Sequence, residues 1–403
     1  WASGTGVVDM SGRVIILGGG IGGLCTSIAL RRAGVDAVMY EQASQFSEVG
    51  AGIQVWVTGM RALGRLGVAE AVRDAGAEVH RHRFFTAQGA PLYSADLAGF
   101  AREHGVTPPV MIARSDLVEV LATGVDPAAV RLGRRVVTVA QTAESVQVRF
   151  EDGGTDEAEL LIAADGIGSM VRRDLFPEAS LRTASYRYVR SLVEHPGMRG
   201  ENEFAMYFGR GDRIAVGDCG DGKRYWLVGL RRPTVPLGGD QGELKTDLLR
   251  RFRAFPEGIA SLIEATPAEA LIHHAVRDLE SLPAWGRGRI VLLGDAAHAT
   301  TPNLGRGSAQ AMLDALELAG LLRGVDLSDA SVLERVLDQY GRARKAEAEA
   351  LQRTSWTIGA ISSWDSALMG TARDVIMRTV AGRRQVAAIR DQFRRAAAMQ
   401  PTG

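Results

Sequence analysis

Cysteine is nearly missing from this chain: Cys25 and Cys219 are the only two in 403 residues. Two thiols cannot build a disulfide framework or a cysteine-based metal site, so a reducing, cytoplasmic compartment is the expectation. His273 and His274 stand before an expected strand without a spaced acidic or cysteine partner, and no metal is expected. A charge excess of either sign is also lacking. Lys plus Arg number 47 and Asp plus Glu number 47. No net field therefore draws the chain to nucleic acid or an anionic membrane, although a local basic patch stays open. No apolar run is long enough to span a bilayer, and no signal peptide is expected ahead of the first strand. Trp1 to Ser11 lack periodicity and are read as a tail.

What is present has the balance of an ordinary soluble globular enzyme, 46% hydrophobic and 23% charged, at a length that suits two or three domains. Glycine is plentiful, without a repeat period, and it clusters. Such clusters mark places where backbone approaches a ligand or takes a positive φ.

The β-rich run Arg13–Leu17, the glycines of 18–23, a periodic helix to about Ala33 and a buried run Val35–Tyr40 form a strand–turn–helix–strand unit. That unit opens a dinucleotide-binding domain. Residues Val130–Phe150 alternate and contain turn signals, and Leu160–Ala164 reads as another buried strand. From about Tyr186 the pattern turns to antiparallel strands at Glu203–Phe208, Arg213–Gly217 and Tyr225–Leu230, with hairpin turns between them. Arg289–Leu293 returns to a buried parallel type, Ala309–Leu322 is a periodic helix, and the chain reads helical from Ser331 onward. The expected fold is α/β: a discontinuous Rossmann-like FAD-binding domain with an inserted antiparallel-sheet substrate domain and C-terminal helices. Its expected divisions are 12–183, 184–280, 281–345 and 346–403. Residues Arg373–Ala398 suit an interfacial membrane helix or one that docks on the domain, and Asp374 and Asp391 favour docking or a dimer contact.

Gly18, Gly20 and Gly23 form G-x-G-x-x-G, with Ile21 opening the helix. The first glycine permits the tight turn, the second a pyrophosphate approach, and the third close helix packing. Glu41, followed by Gln42, ends the next strand at the distance where a carboxylate meets ribose hydroxyls. This motif alone does not choose between FAD and NAD(P).

Two later strand ends do. Leu161-Ile162-Ala163-Ala164-Asp165-Gly166 closes in Asp-Gly, and Val291-Leu292-Leu293-Gly294-Asp295-Ala296-Ala297-His298 is followed by Pro302-Asn303-Leu304-Gly305-Arg306-Gly307. With these three ordered motifs, the sequence from about Gly12 to Arg344 resembles the single-component flavoprotein aromatic hydroxylases. It looks most like the salicylate-hydroxylase-like, FAD-dependent urate hydroxylase and zeaxanthin-epoxidase types. The resemblance implies an FAD monooxygenase in which NADH or NADPH, bound transiently without a second Rossmann unit, reduces the flavin. A flavin C4a-hydroperoxide then delivers oxygen to a small aromatic or heteroaromatic substrate. It also implies roles. Asp295 would bond the ribityl chain, and Gly305, Arg306, Gly307, Ser308 and Ala309 would present a helix N-terminus to the flavin pyrimidine edge. Arg114 would contact FAD from a helix start. Gly50-Ala51-Gly52-Ile53-Gln54 would lie along the ribityl and isoalloxazine region, Val136 would meet adenine, and Asp165 would serve both FAD and the nicotinamide approach.

Plainer readings stand beside these. Asp165 or Asp295 alone would simply cap a turn or helix, Arg114 alone would be a surface arginine, and His298 suits a structural role. The sequence also departs from the family. Arg306 stands where glutamine is common and brings a fixed charge near the expected substrate. Leu313-Asp314 replaces Glu-Asp, read as a packing change, and Val189-Arg190 replaces Trp-Arg. Phe204, Met206, Phe208, Tyr225 and Trp226 are the candidate pocket lining, with Arg213 and Tyr225 resembling substrate-side residues of the urate-hydroxylase type. Against that, strand aromatics are commonly core, and Arg213 would otherwise be a solvated turn residue. Catalytic candidates are thus Arg213, Tyr225 and Arg306, and the chain is expected to be a monomer or homodimer. Epoxidation of an alkene or indole double bond remains open as a reaction. So do a flavin reductase or oxidase and a flavin-loaded binding or sensing protein without turnover.

Overall fold

A computed structural model describes residues 12–46, 51–195 and 202–399. The expected tail and Gly50 lie outside them. Val14–Leu17, Ala37–Tyr40, Leu160–Ala163 and Ile290–Leu292 pair in parallel, with Val130–Arg131 parallel at one edge and Gly286–Arg287 antiparallel at the other. Val14–Leu17 and Leu160–Ala163 are buried at every position, as strands covered on both faces must be, and this explains their unbroken apolar runs. Helix Ile21–Ala33 covers one face and packs on helix Gly307–Leu322. The expected alternating stretch Val130–Phe150 resolves into Val130–Arg131, Val136–Gln141 and Val146–Phe150, the last two joining Thr155–Ala158 in a separate three-stranded antiparallel sheet.

The second large sheet has seven strands, in the order Ile272–Leu279, Leu181–Glu194, Lys223–Leu230, Arg213–Asp218, Glu203–Phe208, Arg81–Thr86 and Pro91–Asp96. All neighbours are antiparallel except Glu203–Phe208 and Arg81–Thr86. It is therefore not confined to 184–280: a hairpin from 81–96 completes its far edge, a long-range pairing that no local pattern announces. His273 and His274 lie inside its edge strand, not before it. One face carries Trp226, Val228 and Leu230, packed on helices Gln241–Phe252 and Glu257–Ala265. The opposite face looks toward the parallel sheet.

The long helix Ala330–Ser362 follows, then Ala367–Arg378 and Val380–Ala398. The last of these docks: Ile389, Phe393 and Ala396 are buried in a core shared with Leu97, Ala101 and Trp56. No helix among the described residues is long and apolar enough to cross a membrane.

Candidate active site

A cavity of about 490 Å³ lies between the two sheets. At one end it is lined by Gly20, Ile21 and Gly22 of the glycine turn, and at the other by Phe84, Phe204, Met206, Phe208 and Tyr225 of the seven-stranded sheet. Alternation along strands decides which candidates face it. Phe204, Met206 and Phe208 share a face and all line the cavity. Tyr225 lines it too, whereas its neighbour Trp226 does not: fully buried on the other face, Trp226 donates its indole N–H to Thr266 Oγ1 at 3.0 Å. Trp226 is thus core, contrary to expectation.

The glycine turn is built for close approach. Gly18 has φ +100°, and a Cβ there would meet Ala164 O at 2.5 Å. A Cβ at Gly23 would fall 1.8 Å from Gly18 O, so helix and turn touch backbone to backbone. Among the described residues a Cβ at Gly20 would meet nothing within 4 Å. Among them no side chain caps that helix, and its first N–H groups can meet an anion. Glu41 accepts from Gly19 N at 2.6 Å and from Ala43 N at 2.7 Å, fixing its carboxylate beside the turn. Gln42 is exposed next to it. The segment leading to Val136 runs alongside, with Gly133 N donating to Ala43 O and Arg134 N to Glu41 O. Glu41, Gln42 and Val136 lie off the cavity itself.

Around the middle stand Gly52, Gln54, Arg114, Arg190 and Asp295, all lining the cavity. Asp295 presents an exposed carboxylate from the first turn of helix Asp295–His298. Burial pulls the Arg114 guanidinium below its ordinary value, with Asp295 opposing and Arg190 adding to the fall. Burial likewise raises the Tyr225 phenol, which Arg190 counters by a hydrogen bond. Asp165 stands at the edge: its Oδ2 accepts from Met170 N at 3.0 Å, and its buried Oδ1 has no partner. Gly305, Gly307 and Ser308 line the cavity, while Ala309 packs inward.

Arg306 departs from expectation. It precedes helix Gly307–Leu322 with φ −115°, ψ 0°, and its side chain leaves the cavity to donate to Gln392 Oε1 at 2.5 Å. Its charge faces the C-terminal helix instead of the site. Asp314 also differs from a packing change. Fully buried, it accepts from His298 Nε2 at 2.5 Å, Arg344 Nε at 2.8 Å and Gly294 N at 3.2 Å. Burial works against its ionisation, but His298 and Arg344 outweigh burial and hold its carboxyl below the ordinary value. The hub fixes Gly294, whose φ of +61° sets the bend before Asp295. His298 is structural through this bond.

Arg213 is buried, not solvated. It donates to Tyr188 OH at 2.8 Å, Asn303 Oδ1 at 2.8 Å and Ser363 Oγ at 3.0 Å, and lies 4.7 Å over the Tyr186 ring. The Tyr186 hydroxyl is a further partner of this guanidinium, which has five N–H donors, and among the described residues it forms no ion pair with a carboxylate. The Asn303 amide nitrogen, with two N–H donors, lies within bonding distance of Tyr186 OH, Thr301 Oγ1 and Ser355 O. Sequence reasoning missed this network, because Tyr188, Asn303 and Ser363 stand on three separate elements.

It also missed His82. The ring lines the cavity against Trp56 and Phe204 and meets the Gln54 amide nitrogen at 2.8 Å. An amide nitrogen only donates, so His82 Nε2 accepts and Nδ1 carries the proton. Burial pushes its pKa down to about 3, and the ring stays neutral. No motif marks it.

The residues present fit FAD. Open space and an uncapped helix suit a pyrophosphate, a carboxylate stands beside the turn for a ribose, and a partly apolar chamber suits a tricyclic ring. A sequence profile described as FAD binding domain matches residues 12–355. Aurachin C monooxygenase/isomerase of Stigmatella aurantiaca is 35% identical over 373 residues, 92% of this chain and 95% of that protein. FAD-dependent urate hydroxylase of Klebsiella pneumoniae is 30% identical over 351 residues, 86% of this chain and 91% of that one. The crystal structure of Klebsiella pneumoniae HpxO complexed with FAD and uric acid has a TM-score of 0.86 at 27% identity, covering 94% of this chain and 96% of that one.

Proposed function

The chain belongs to the FAD binding domain family and is an FAD-dependent monooxygenase, and from that premise we propose that it hydroxylates a planar heteroaromatic substrate bearing a carbonyl or phenolic oxygen. The observation that carries this reading is the single cavity joining the glycine turn to the aromatic face of the sheet. FAD bound there and reduced by NADH or NADPH supplies activated oxygen from O2. Gly20, Ile21, Gly52, Gln54, Arg114, Asp165, Asp295 and the 305–309 segment would hold it in the cavity, and Glu41, Gln42 and Val136 would meet its adenosine end beside the cavity. The chain's own residues bind, orient and exclude water. Phe204, Phe208 and Tyr225 form one wall against an aromatic ring, and Arg213 turns guanidinium N–H not taken by its protein partners to the substrate oxygen. A guanidinium keeps its charge when buried, so a partial negative charge on that oxygen is the natural partner. His82, neutral with Nδ1–H, offers a further donor without adding charge. Urate, in the name of one relative, is a ring of this kind.

The free, buried thiols suit a reducing compartment, and we place the enzyme in the cytoplasm, as a monomer or homodimer. The partition 12–183, 184–280, 281–345 and 346–403 is retained as a working division, with 81–96 contributing to the sheet of the second segment.

Purified protein should be yellow, release FAD and not FMN on denaturation, and consume O2 with NADH or NADPH faster when a hydroxyquinoline or oxopurine is added. Release of FMN alone, or oxygen uptake indifferent to every oxygenated heteroaromatic tried, would overturn the reading. Epoxidation would instead yield a product that keeps its ring hydrogens.

A further inference from the structure

Among the described residues seven large apolar side chains are exposed, and four of them, Leu368, Met369, Val375 and Ile376, share the one helix Ala367–Arg378. Single exposed apolar residues need no explanation, whereas a cluster on one element does. Leu368, Ala372, Val375 and Ile376 follow the i, i+4, i+7, i+8 spacing of one helical face, and that face is turned to solvent. Leu368 is 81% exposed.

The other side of the same helix is well anchored. Arg373 is buried, donates to Gly209 O at 3.0 Å, pairs with Asp374 at 2.8 Å and lies 5.1 Å over the Phe208 ring. Arg373 and Met377 line the cavity. The helix thus has a docked face and an apolar face with no cover.

The unpaired charge of this segment is of one sign. Arg378, Arg383 and Arg384 are exposed and have no acidic partner among the described residues. The acidic side chains of the segment are engaged, Asp365 with Arg232 at 2.7 Å and Asp374 with Arg373. An apolar helical face, with exposed arginines at the helix's C-terminal end and at the start of the next helix, suits a helix lying in a lipid interface. A second copy fits less well, because the acidic side chains of this segment, Asp365 and Asp374, are already engaged and offer those arginines no free counter-charge. We propose that the outer face of helix Ala367–Arg378 docks on an anionic lipid surface, with Arg378, Arg383 and Arg384 against the headgroups. The docked face then lies one helix away from the cavity.

Cosedimentation with vesicles tests this, using the FAD-loaded full chain and phosphatidylcholine vesicles with or without phosphatidylglycerol. Each arginine beside an anionic surface contributes about a fivefold gain in partitioning. Binding should therefore be at least about tenfold stronger to the anionic vesicles and fall with added salt. A Leu368→Asp/Val375→Asp/Ile376→Asp variant and an Arg378→Gln/Arg383→Gln/Arg384→Gln variant should each lose about tenfold or more at unchanged flavin content, since none of these residues lines the cavity. Absence of binding to anionic vesicles, or retention of binding by both variants, overturns the proposal. So does sedimentation velocity that finds a dimer which the aspartate variant dissociates. Should the aspartate variant lose flavin, the glutamine variant and the two vesicle types decide alone.

Discussion

Replacing Asp314 by Asn removes one negative charge from a fully buried site. The carboxylate joins three parts of the chain: His298, the Gly294 backbone and Arg344 of the long helix, at 2.5, 3.2 and 2.8 Å. Asn cannot accept from all three and leaves the Arg344 guanidinium, itself buried, without its nearest full counter-charge. Breaking a buried ion pair by removing one partner costs about 3–5 kcal/mol. Against a total stability of about 5–15 kcal/mol, that is a large share. With m of about 3 kcal/mol/M in urea, the unfolding midpoint of the flavin-free protein should fall by about 1–1.7 M. Asp295→Asn should behave in the opposite way, leaving that midpoint in place while FAD affinity falls about ten- to a hundredfold, the worth of a charge-assisted hydrogen bond. The pH dependence follows from the lowered carboxyl of Asp314. Its contribution is complete above the unfolded-state carboxyl value of about 3.9 and is lost as pH falls from there through the lower native value. Urea titrations across that window should show a steeper acid loss for the wild type than for Asp314→Asn. An Asp314→Asn unfolding free energy within about 0.5 kcal/mol of the wild type would refute the hub.

Two further perturbations separate fold from function. Gly20→Ala places a methyl in open space before the helix, so the protein should fold with a normal circular dichroism spectrum and yet lose flavin. Gly23→Ala collides with Gly18 O at 1.8 Å and should lower both. Full flavin retention by Gly20→Ala would move the pyrophosphate elsewhere. Arg213→Gln should reduce kcat/KM for an oxygenated heteroaromatic about tenfold or more at full flavin loading. Arg306→Gln, which disturbs a contact to Gln392 outside the cavity, should leave kcat/KM within about twofold. The reverse ranking would return Arg306 to the site.

Local pattern carried the cofactor half of the molecule. The strand, the glycine turn and Glu41 are contiguous or nearly so, and the steric demand on Gly18 and Gly23 is made by backbone a few residues away. Those constraints are written into short stretches, so they were legible. The same holds for the Asp-Gly and Gly-Asp strand ends, and for the period-2 strands at 203–208, 213–218 and 223–230.

The substrate side depended on which distant segments meet. Trp226 and Tyr225 are equally aromatic and adjacent, and only the packing of helices 241–252 and 257–265 on one face of the sheet made one core and the other wall. Arg213 acquired its buried setting from Tyr188, Asn303 and Ser363, and Arg306 lost its place to a helix almost ninety residues on. Asp314 looked like a packing change until Arg344 and His298 were brought to it. Charge and aromaticity are properties of a residue, and sequence determines them. Whether a charge is paired or an aromatic ring faces a cavity depends on the neighbours that long-range packing supplies, and only the tertiary structure decides it.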